Sequence, residues 1–190
     1  MAEPFWKNRI FEITEMMGVD QYKHKMMITT VTNGTILTKE KIERWLSFPN
    51  STIVFSIDAS TPPTYKAIRQ LDVYDRVVGN LMTIAGLRTP TQRLKIHNNI
   101  NILNVGEVVG MVEVGARAKV DVLEFNPTYF APRIEVNAGN AHLFAEAQKR
   151  IREAAASLKV PVVFLRDLAL DFLVVHPDDL NPPLFSLPLA

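Results

Sequence analysis

The sequence predicts an α/β protein built on a parallel β-sheet, and three observations lead to this prediction. Short segments rich in Val, Ile and Thr alternate along the chain with segments whose apolar residues recur at helical spacing. The strand-like segments are apolar over most of their length, as in strands that are covered on both faces. A chain of 190 residues is long enough for one domain of this class with a small addition.

Helical and extended segments follow one another in a regular order from the N-terminus. Gly18 is suited to end the first helix, whereas Thr38 and the pair Ser60-Thr61 are suited to begin later ones. We predict helices over residues 6–17, 38–48, 60–87 (as one helix or two), 107–118 and 141–158. We predict strands over residues 26–32, 52–57, 94–103, 120–125 and 160–165. An open doubly wound sheet and a (β/α) barrel both fit this order, although five strands are fewer than a closed barrel uses.

The composition excludes several classes of protein. The chain has no cysteine, so it offers no disulfide, no thiol nucleophile and no cysteine ligand for an iron–sulfur cluster. Its four histidines are far apart in sequence, so we expect no metal site. A net charge of +1 does not favour nucleic acid or an anionic membrane as a partner. No apolar run approaches the ~18 residues of a spanning helix and the sequence shows no signal peptide, so we expect a cytoplasmic protein.

In both parallel architectures, binding sites form at the carboxyl ends of the strands. This edge lacks a glycine-rich phosphate loop and a nucleophile elbow, so we name no catalytic residue. It is suited to a polar, zwitterionic small molecule with a ribose, because a carboxylate accepts from hydroxyl groups and an arginine binds a carboxylate at two points. The candidate binding residues at or beyond the predicted strand ends are Glu3, Asn33, Ser56, Asp58, Arg69, Asn101 and Asn104.

Most of these residues also have a purely structural interpretation. Glu3 could cap the helix after it, Asn33 could belong to a turn, and Asp58 could cap the next helix. An exposed ion pair is the usual role of a helical arginine such as Arg69. Asn104 stands three residues before a glutamate, which is the spacing of a capping box.

Five segments, taken in order, resemble the motifs of the radical S-adenosylmethionine (radical SAM) enzymes. The family motifs that they resemble are the Glu-Pro end of the second strand, the Thr-Asn-Gly-Thr end of the third, the Ser-Ile-Asp region after the fourth, the fifth strand with its following helix, and the sixth strand. The similarity covers roughly residues 1–130 and is greatest to the branch that modifies peptides or sugars. The matching segments, in the same order, are Met1–Phe5, Thr32–Leu37, Ser56–Arg69, Asn101–Glu107 and Val120–Pro127.

The resemblance implies a partial (β/α) TIM-type barrel of about five to six strands with helices on the outer face. We expect this domain to span residues 1–165, and the prolines of residues 166–190 predict an irregular tail. The resemblance also implies S-adenosylmethionine (SAM) as cofactor, with a small molecule or a peptide as substrate. The implied contacts are Glu3 with the methionine amino group, Ser56 and Asp58 with the ribose or carboxylate, Arg69 with the carboxylate, and Asn101 or Asn104 with the ribose or substrate.

In the family, a 4Fe–4S cluster held by Cys-x3-Cys-x2-Cys cleaves SAM reductively to a 5′-deoxyadenosyl radical, which takes hydrogen from the substrate. This chain has no cysteine, so it supplies no cluster ligand. We therefore expect a fragment or a degenerate member that is inactive alone and stays colourless when treated with iron and sulfide.

Two other interpretations remain open. The chain could be a cluster-less binding or structural subunit that pairs with a chain supplying the first βα unit, or an unrelated α/β barrel fragment. A cysteine-bearing reading frame directly upstream favours the paired subunit, whereas a continuous frame favours truncation. Because an incomplete barrel leaves its first strand without a neighbour, we expect self-association or binding of a partner chain through the open barrel edge.

Overall fold

Five parallel strands form the sheet of the protein, in a computed structural model that describes residues 3–18, 22, 25–128 and 133–166. Their order in the sheet is their order in the chain. A doubly wound sheet reverses its strand order at a switch point, and this sheet does not, so its winding is that of a barrel. The α/β prediction with a parallel sheet is confirmed. The strands are β1 (Ile28–Thr32), β2 (Ser51–Ser56), β3 (Arg93–Ile100), β4 (Val122–Pro127) and β5 (Val162–Phe164).

Helices precede β1 and connect the successive strands. The segment predicted as one helix or two contains two, because Gln70 adopts a left-handed conformation with φ 56° and ends the first of them. Short 3₁₀ turns at Trp6–Asn8 and Val105–Glu107 lead into the first and fifth helices. Most of the predicted tail, residues 167–190, lies outside the described residues. The helices are α1 (Arg9–Met16), α2 (Lys39–Leu46), α3 (Pro62–Arg69), α4 (Tyr74–Leu87), α5 (Val108–Arg117) and α6 (Ala141–Leu158).

The third strand is shorter than predicted. It ends at Ile100, and the prediction that it continues to Leu103 is wrong. The side chain of Asn101 accepts a hydrogen bond of 2.9 Å from the backbone N–H of Leu103, and the carbonyl of Asn101 accepts from Asn104 and Val105. These local bonds turn the chain at Asn101 and remove it from the ladder.

The two faces of the sheet have different surroundings. Right-handed crossovers between strands in sequential order place all the connecting helices on one face. The strand residues of that face are buried, as for Phe55, Leu94, Ile96 and Leu123. The opposite face, which we call the inner face, is more open and more polar. The alternation and register of the strands assign to it Val31, Val54, Lys95, His97, Asn99, Glu124, Asn126 and Val163.

Aromatic packing attaches the N-terminal segment to the sheet. The ring of Phe5 is fully buried and lies 5.8 Å from the rings of both Phe11 and Trp45, in edge-to-face geometry. Such pairs stabilise by about 0.5–1.5 kcal/mol beyond the burial of their area. This contact fixes Glu3, two residues earlier, near the end of β1. No helix of the described residues is long and apolar enough to cross a membrane.

Candidate functional site

The carboxylate of Glu3 is hydrogen-bonded to the C-terminal end of β1. It accepts hydrogen bonds of 2.5 Å from Thr32 Oγ1 and 2.9 Å from the backbone N–H of Asn33. The Asn33 side chain accepts in turn from the backbone N–H of Thr35 at 2.9 Å. These bonds place Glu3 beside the turn after β1. Its carboxylate caps no helix in the described residues, although its carbonyl accepts a backbone bond from Trp6.

The turn after β1 requires glycine at position 34. Gly34 has a φ of 73°, and a Cβ atom there would lie 2.7 Å from the ring of Phe55. That distance is shorter than a van der Waals contact, and the conformation is one that glycine adopts without steric cost. The turn predicted from Asn33-Gly34 is therefore present, and it brings the backbone close to β2.

Asp58 and Arg69 form a partly buried ion pair just beyond β2. Asp58 Oδ2 contacts Arg69 Nη2, and Asp58 Oδ1 accepts from the backbone N–H of Asn99 at 2.7 Å. The Asp58 side chain is 6% exposed and that of Arg69 is 29% exposed. Arg69 Nη2 also donates to Ser56 Oγ at 2.8 Å. The pair joins α3 to the ends of β2 and β3.

Asp58 does not have the helix-capping role, and Arg69 does not have the solvent-exposed role, that a purely structural interpretation predicts for them. Asp58 does not cap α3, because Thr61 is the N-cap residue and its side chain accepts from Thr64 N at 3.5 Å. Arg69 is not a solvated surface cation, because it bridges Asp58 and Ser56. Its Nε is buried and has no hydrogen-bond acceptor among the described residues. The guanidinium therefore retains an N–H donor that no described residue uses.

Two buried asparagines hold the strand ends in place. Asn104 is fully buried, and its Nδ2 donates to the carbonyls of Asp58 at 2.7 Å and Asn99 at 2.8 Å. Its Oδ1 accepts from the backbone N–H of Asn101 at 2.8 Å. Asn101 is 2% exposed, and its side-chain oxygen is engaged by Leu103. The amides of both residues therefore bond to the backbone beneath the surface of the site.

The capping box proposed for Asn104 is wrong, because its glutamate partner serves another helix. Glu107 accepts from Thr61 Oγ1 at 2.6 Å, from Thr64 Oγ1 at 2.5 Å and from the backbone N–H of Ser60 at 3.0 Å. Burial tends to raise the pKa of Glu107, but these hydrogen bonds outweigh burial and hold the pKa below its ordinary value. Glu107, in the segment after β3, thus stabilises the start of α3, which follows the neighbouring strand β2. The sequence carries no local signal for this role, since the partners are 43 to 47 residues away.

A cavity of about 150 Å³ opens between the ends of β1 and β2. Four of the seven predicted binding residues line it, and Asp58 lies directly behind them through its contact with Arg69. Asn101 and Asn104 do not line it. The cavity offers a carboxylate on one side and a guanidinium on the other. Its lining residues are Glu3, Pro4, Val31, Thr32, Asn33, Ser56 and Arg69.

The site has no residues that fit an iron–sulfur cluster. The whole sequence lacks cysteine, and no group of three His, Asp or Glu residues in the described part of the chain could hold a metal ion. The donors and acceptors around the cavity instead suit an organic zwitterion. Glu3 can accept from an ammonium group, and the guanidinium of Arg69 can donate to a carboxylate.

Solved structures of known enzymes share this arrangement of strands and helices. A radical SAM methyltransferase from Sphaerobacter thermophilus superposes with a TM-score of 0.62 at 13% identity, over 86% of this chain and 48% of that one. The chain has the fold of the radical SAM enzymes. Native anSMEcpe with bound AdoMet and Cp18Cys peptide superposes with a TM-score of 0.60 at 13% identity, over 85% of this chain and 48% of that one.

The chain also superposes on the crystal structure of SuiB from Streptococcus suis bound to S-adenosylmethionine. The TM-score is 0.59 at 11% identity, over 78% of this chain and 33% of SuiB. The chain thus spans a third to about a half of the length of these structures. No protein-family model matches the sequence, and no curated protein matches it. The likeness to the radical SAM enzymes is therefore one of fold.

Proposed function

We propose that this chain is the SAM-binding part of a radical SAM-type domain that modifies a small molecule or a peptide. One observation carries the proposal: a single cavity at the carboxyl ends of the strands is lined by both Glu3 and Arg69, which bring a carboxylate and a guanidinium to one site. A methionine-like end group has an ammonium and a carboxylate on one carbon. The two side chains are complementary to those two groups.

The size of the cavity indicates which part of SAM it receives. Pockets for small organic ligands usually have volumes of about 300–1,000 Å³. The 150 Å³ between β1 and β2 is enough for the amino-acid end alone. We assign the SAM ribose to the polar rim beside it, near Ser56, with Asp58 acting from behind through Arg69. Asn101 and Asn104 then act as positioning residues, because they hold the loop of Asp58 from below.

The proposal gives this chain a binding role and no redox role. Its residues supply no ligand for the cluster that the family uses, so we route no step of SAM cleavage through it. Cluster ligands would have to come from residues outside the sequence given, in the same polypeptide or in another. The alternative, a cluster-less subunit that pairs with a chain supplying a βα unit, is supported by β1, which pairs with β2 alone among the described strands.

A titration of the purified chain with SAM, followed by NMR of its backbone amides, tests the proposed site. We expect weak binding, with shifts confined to the segment around Glu3, Asn33, Ser56 and Arg69. Substitution Arg69→Met removes a charge-assisted hydrogen bond and should weaken binding about tenfold. The exposed Arg76→Met on α4 is the matched control and should bind like the parent chain.

Three results would contradict the proposed site. The first is the absence of shifts at millimolar SAM, and the second is shifts located elsewhere on the molecule. The third is equal binding by the Arg69→Met and Arg76→Met variants. Asp58→Ala offers an independent check, since loss of the carboxylate releases Arg69 and should also weaken binding.

A further inference from the structure

The inner face of the sheet carries a cluster of ionisable side chains below the proposed SAM site. Lys95 Nζ donates to Glu124 Oε1 at 3.1 Å, and His97 Nδ1 lies 3.5 Å from Glu124 Oε2. The side chain of Lys95 is 33% exposed, that of His97 is 22% exposed and that of Glu124 is 18% exposed. They lie on adjacent strands, since His97 and Glu124 are partners in the register of β3 and β4.

This composition is unusual for the interior of a (β/α) barrel. Such interiors are normally filled with branched apolar side chains that form a packed core. Here, the middle of the inner face has Lys, His and Glu, with Asn99 and Asn126 in the next row toward the carboxyl ends. Apolar side chains of this face include Val54 beside Lys95, and Val31 and Val163 on the outer strands, each 45% exposed. A face of this kind needs a polar ligand or water, because charged groups are costly to bury unpaired.

The hydrogen-bonding capacity of the cluster shows which kind of ligand suits it. Both oxygens of Glu124 face cationic or donor groups, one each from Lys95 and His97. Lys95 has three N–H groups and uses one on Glu124. Within the described part of the chain, the amide nitrogen of Asn99 contacts no acceptor. His97 Nε2 has no partner there either, and it is a donor only when it carries the ring proton. The free N–H groups of Lys95 and Asn99 favour a ligand that offers acceptor oxygens.

We propose that Lys95, His97 and Asn99 form a binding site for a carboxylate group on the inner face. The carboxylate would accept hydrogen bonds from the free N–H groups of Lys95 and Asn99, and from His97 Nε2 where that atom carries the ring proton, in competition with Glu124 for Lys95. It could belong to a free organic acid or to an acidic side chain of a peptide.

The assignment of this carboxylate to the substrate rests on the proposed function. His97 is the register partner of Ser56, which lines the proposed SAM cavity, so the two sites lie side by side on the same face. Binding of the carboxylate itself does not depend on SAM. If the chain binds the carboxylate but not SAM, the inner-face site is supported and the proposed function is contradicted. If it binds SAM but not the carboxylate, the proposed function is supported and the inner-face site is contradicted.

The test uses three probes on the full chain, followed by NMR of backbone amides and histidine rings. The probes are N-acetyl-glutamate amide, its neutral analogue N-acetyl-glutamine amide, and glutarate. We expect shifts at Lys95, His97 and Asn99 with the two carboxylates and none with the neutral probe. Tighter binding of N-acetyl-glutamate amide than of glutarate indicates a peptide side chain as the source, and the reverse order indicates a free acid.

Two substitutions predict effects of opposite sign. Lys95→Met removes a charged donor and should weaken carboxylate binding about tenfold. Glu124→Gln removes the internal competitor for Lys95 and should strengthen binding several-fold. The matched control is Lys39→Met, because the Lys39 side chain is 83% exposed on α2 and faces solvent.

The proposal is overturned by equal binding of the neutral probe, or by shifts that lie away from the inner face. It is also overturned if Lys95→Met binds like Lys39→Met. Should Lys95→Met fail to fold, the Glu124→Gln variant decides alone, and weaker carboxylate binding by that variant rejects the site.

Discussion

Buried amide groups connect the strand ends on which the proposed site depends. Asn104 makes three hydrogen bonds to the backbone from a fully buried position, and two of them are to residues outside its own turn. A buried polar group left without its partner costs about 1–3 kcal/mol. The carbonyls of Asp58 and Asn99 therefore depend on this one side chain, which also sets the position of the Asp58 carboxylate.

Substitution Asn104→Ala should lower the free energy of unfolding by about 2–3 kcal/mol, because the buried carbonyls lose their donor. Urea unfolding followed by circular dichroism measures the change. Asn137→Ala is the control, since the Asn137 side chain accepts one bond in an exposed loop, and its effect should stay below about 1 kcal/mol. Equal losses in the two variants would show that Asn104 does not support the strand ends.

At the scale of secondary-structure elements, helix starts are stabilised by residues distant in the chain. Thr61 is the N-cap of α3, and Glu107 from the segment before α5 accepts bonds from three residues at that same helix start. A carboxylate at a helix N-terminus also interacts favourably with the helix dipole. The loop after β2 and the loop after β3 are thereby held together through one side chain.

This arrangement predicts a pH dependence of stability. The folded-state pKa of Glu107 is below its ordinary value of 4.5, because hydrogen bonds from Thr61, Thr64 and Ser60 outweigh the effect of burial. Its contribution is therefore complete above about pH 4.5 and is lost as the pH falls through the lower folded value. We expect Glu107→Gln to be less stable than the parent by about 1–2 kcal/mol at pH 7, with a smaller difference below pH 4.

Urea unfolding at several pH values measures this difference. Glu113→Gln on α5 is the control, because Glu113 is exposed and should show no such dependence. A difference between parent and Glu107→Gln that does not change with pH would contradict the assigned role of the carboxylate.

At the scale of the whole molecule, the sequential strand order leaves β1 at one side of the sheet. It pairs with β2, and no other strand of the described residues pairs with it. Exposed apolar side chains lie on or directly before β1: Met27 is 76% exposed and Val31 is 45% exposed. An uncovered strand with apolar neighbours favours pairing with another chain.

We therefore expect self-association of the purified chain that increases with concentration, as measured by sedimentation velocity. Val31→Lys places a charge on this strand and should shift the distribution toward monomer. Leu87→Lys replaces an exposed leucine of α4 and should leave the association unchanged. A parent chain that stays monomeric at all concentrations would contradict the prediction.

The amino-acid sequence by itself determines the order and the type of the elements, whereas the end of the third strand is predicted three residues too late. Periodicity and helix caps are local properties, so the helices, the strands and the turn at Gly34 follow from them. The same local signals place Glu3, Asn33, Ser56 and Asp58 after strands, and the lack of cysteine excludes a cluster ligand in this chain.

Only the tertiary structure decided which side chains meet. Thr61 rather than Asp58 caps α3, Arg69 is paired rather than solvated, and Glu107 serves a helix 43 or more residues away. The strand order distinguishes barrel winding from a doubly wound sheet, and strand register sets Lys95, His97 and Glu124 on one face. These contacts join distant parts of the chain, and their formation depends on the packing of the whole sheet rather than on any local pattern.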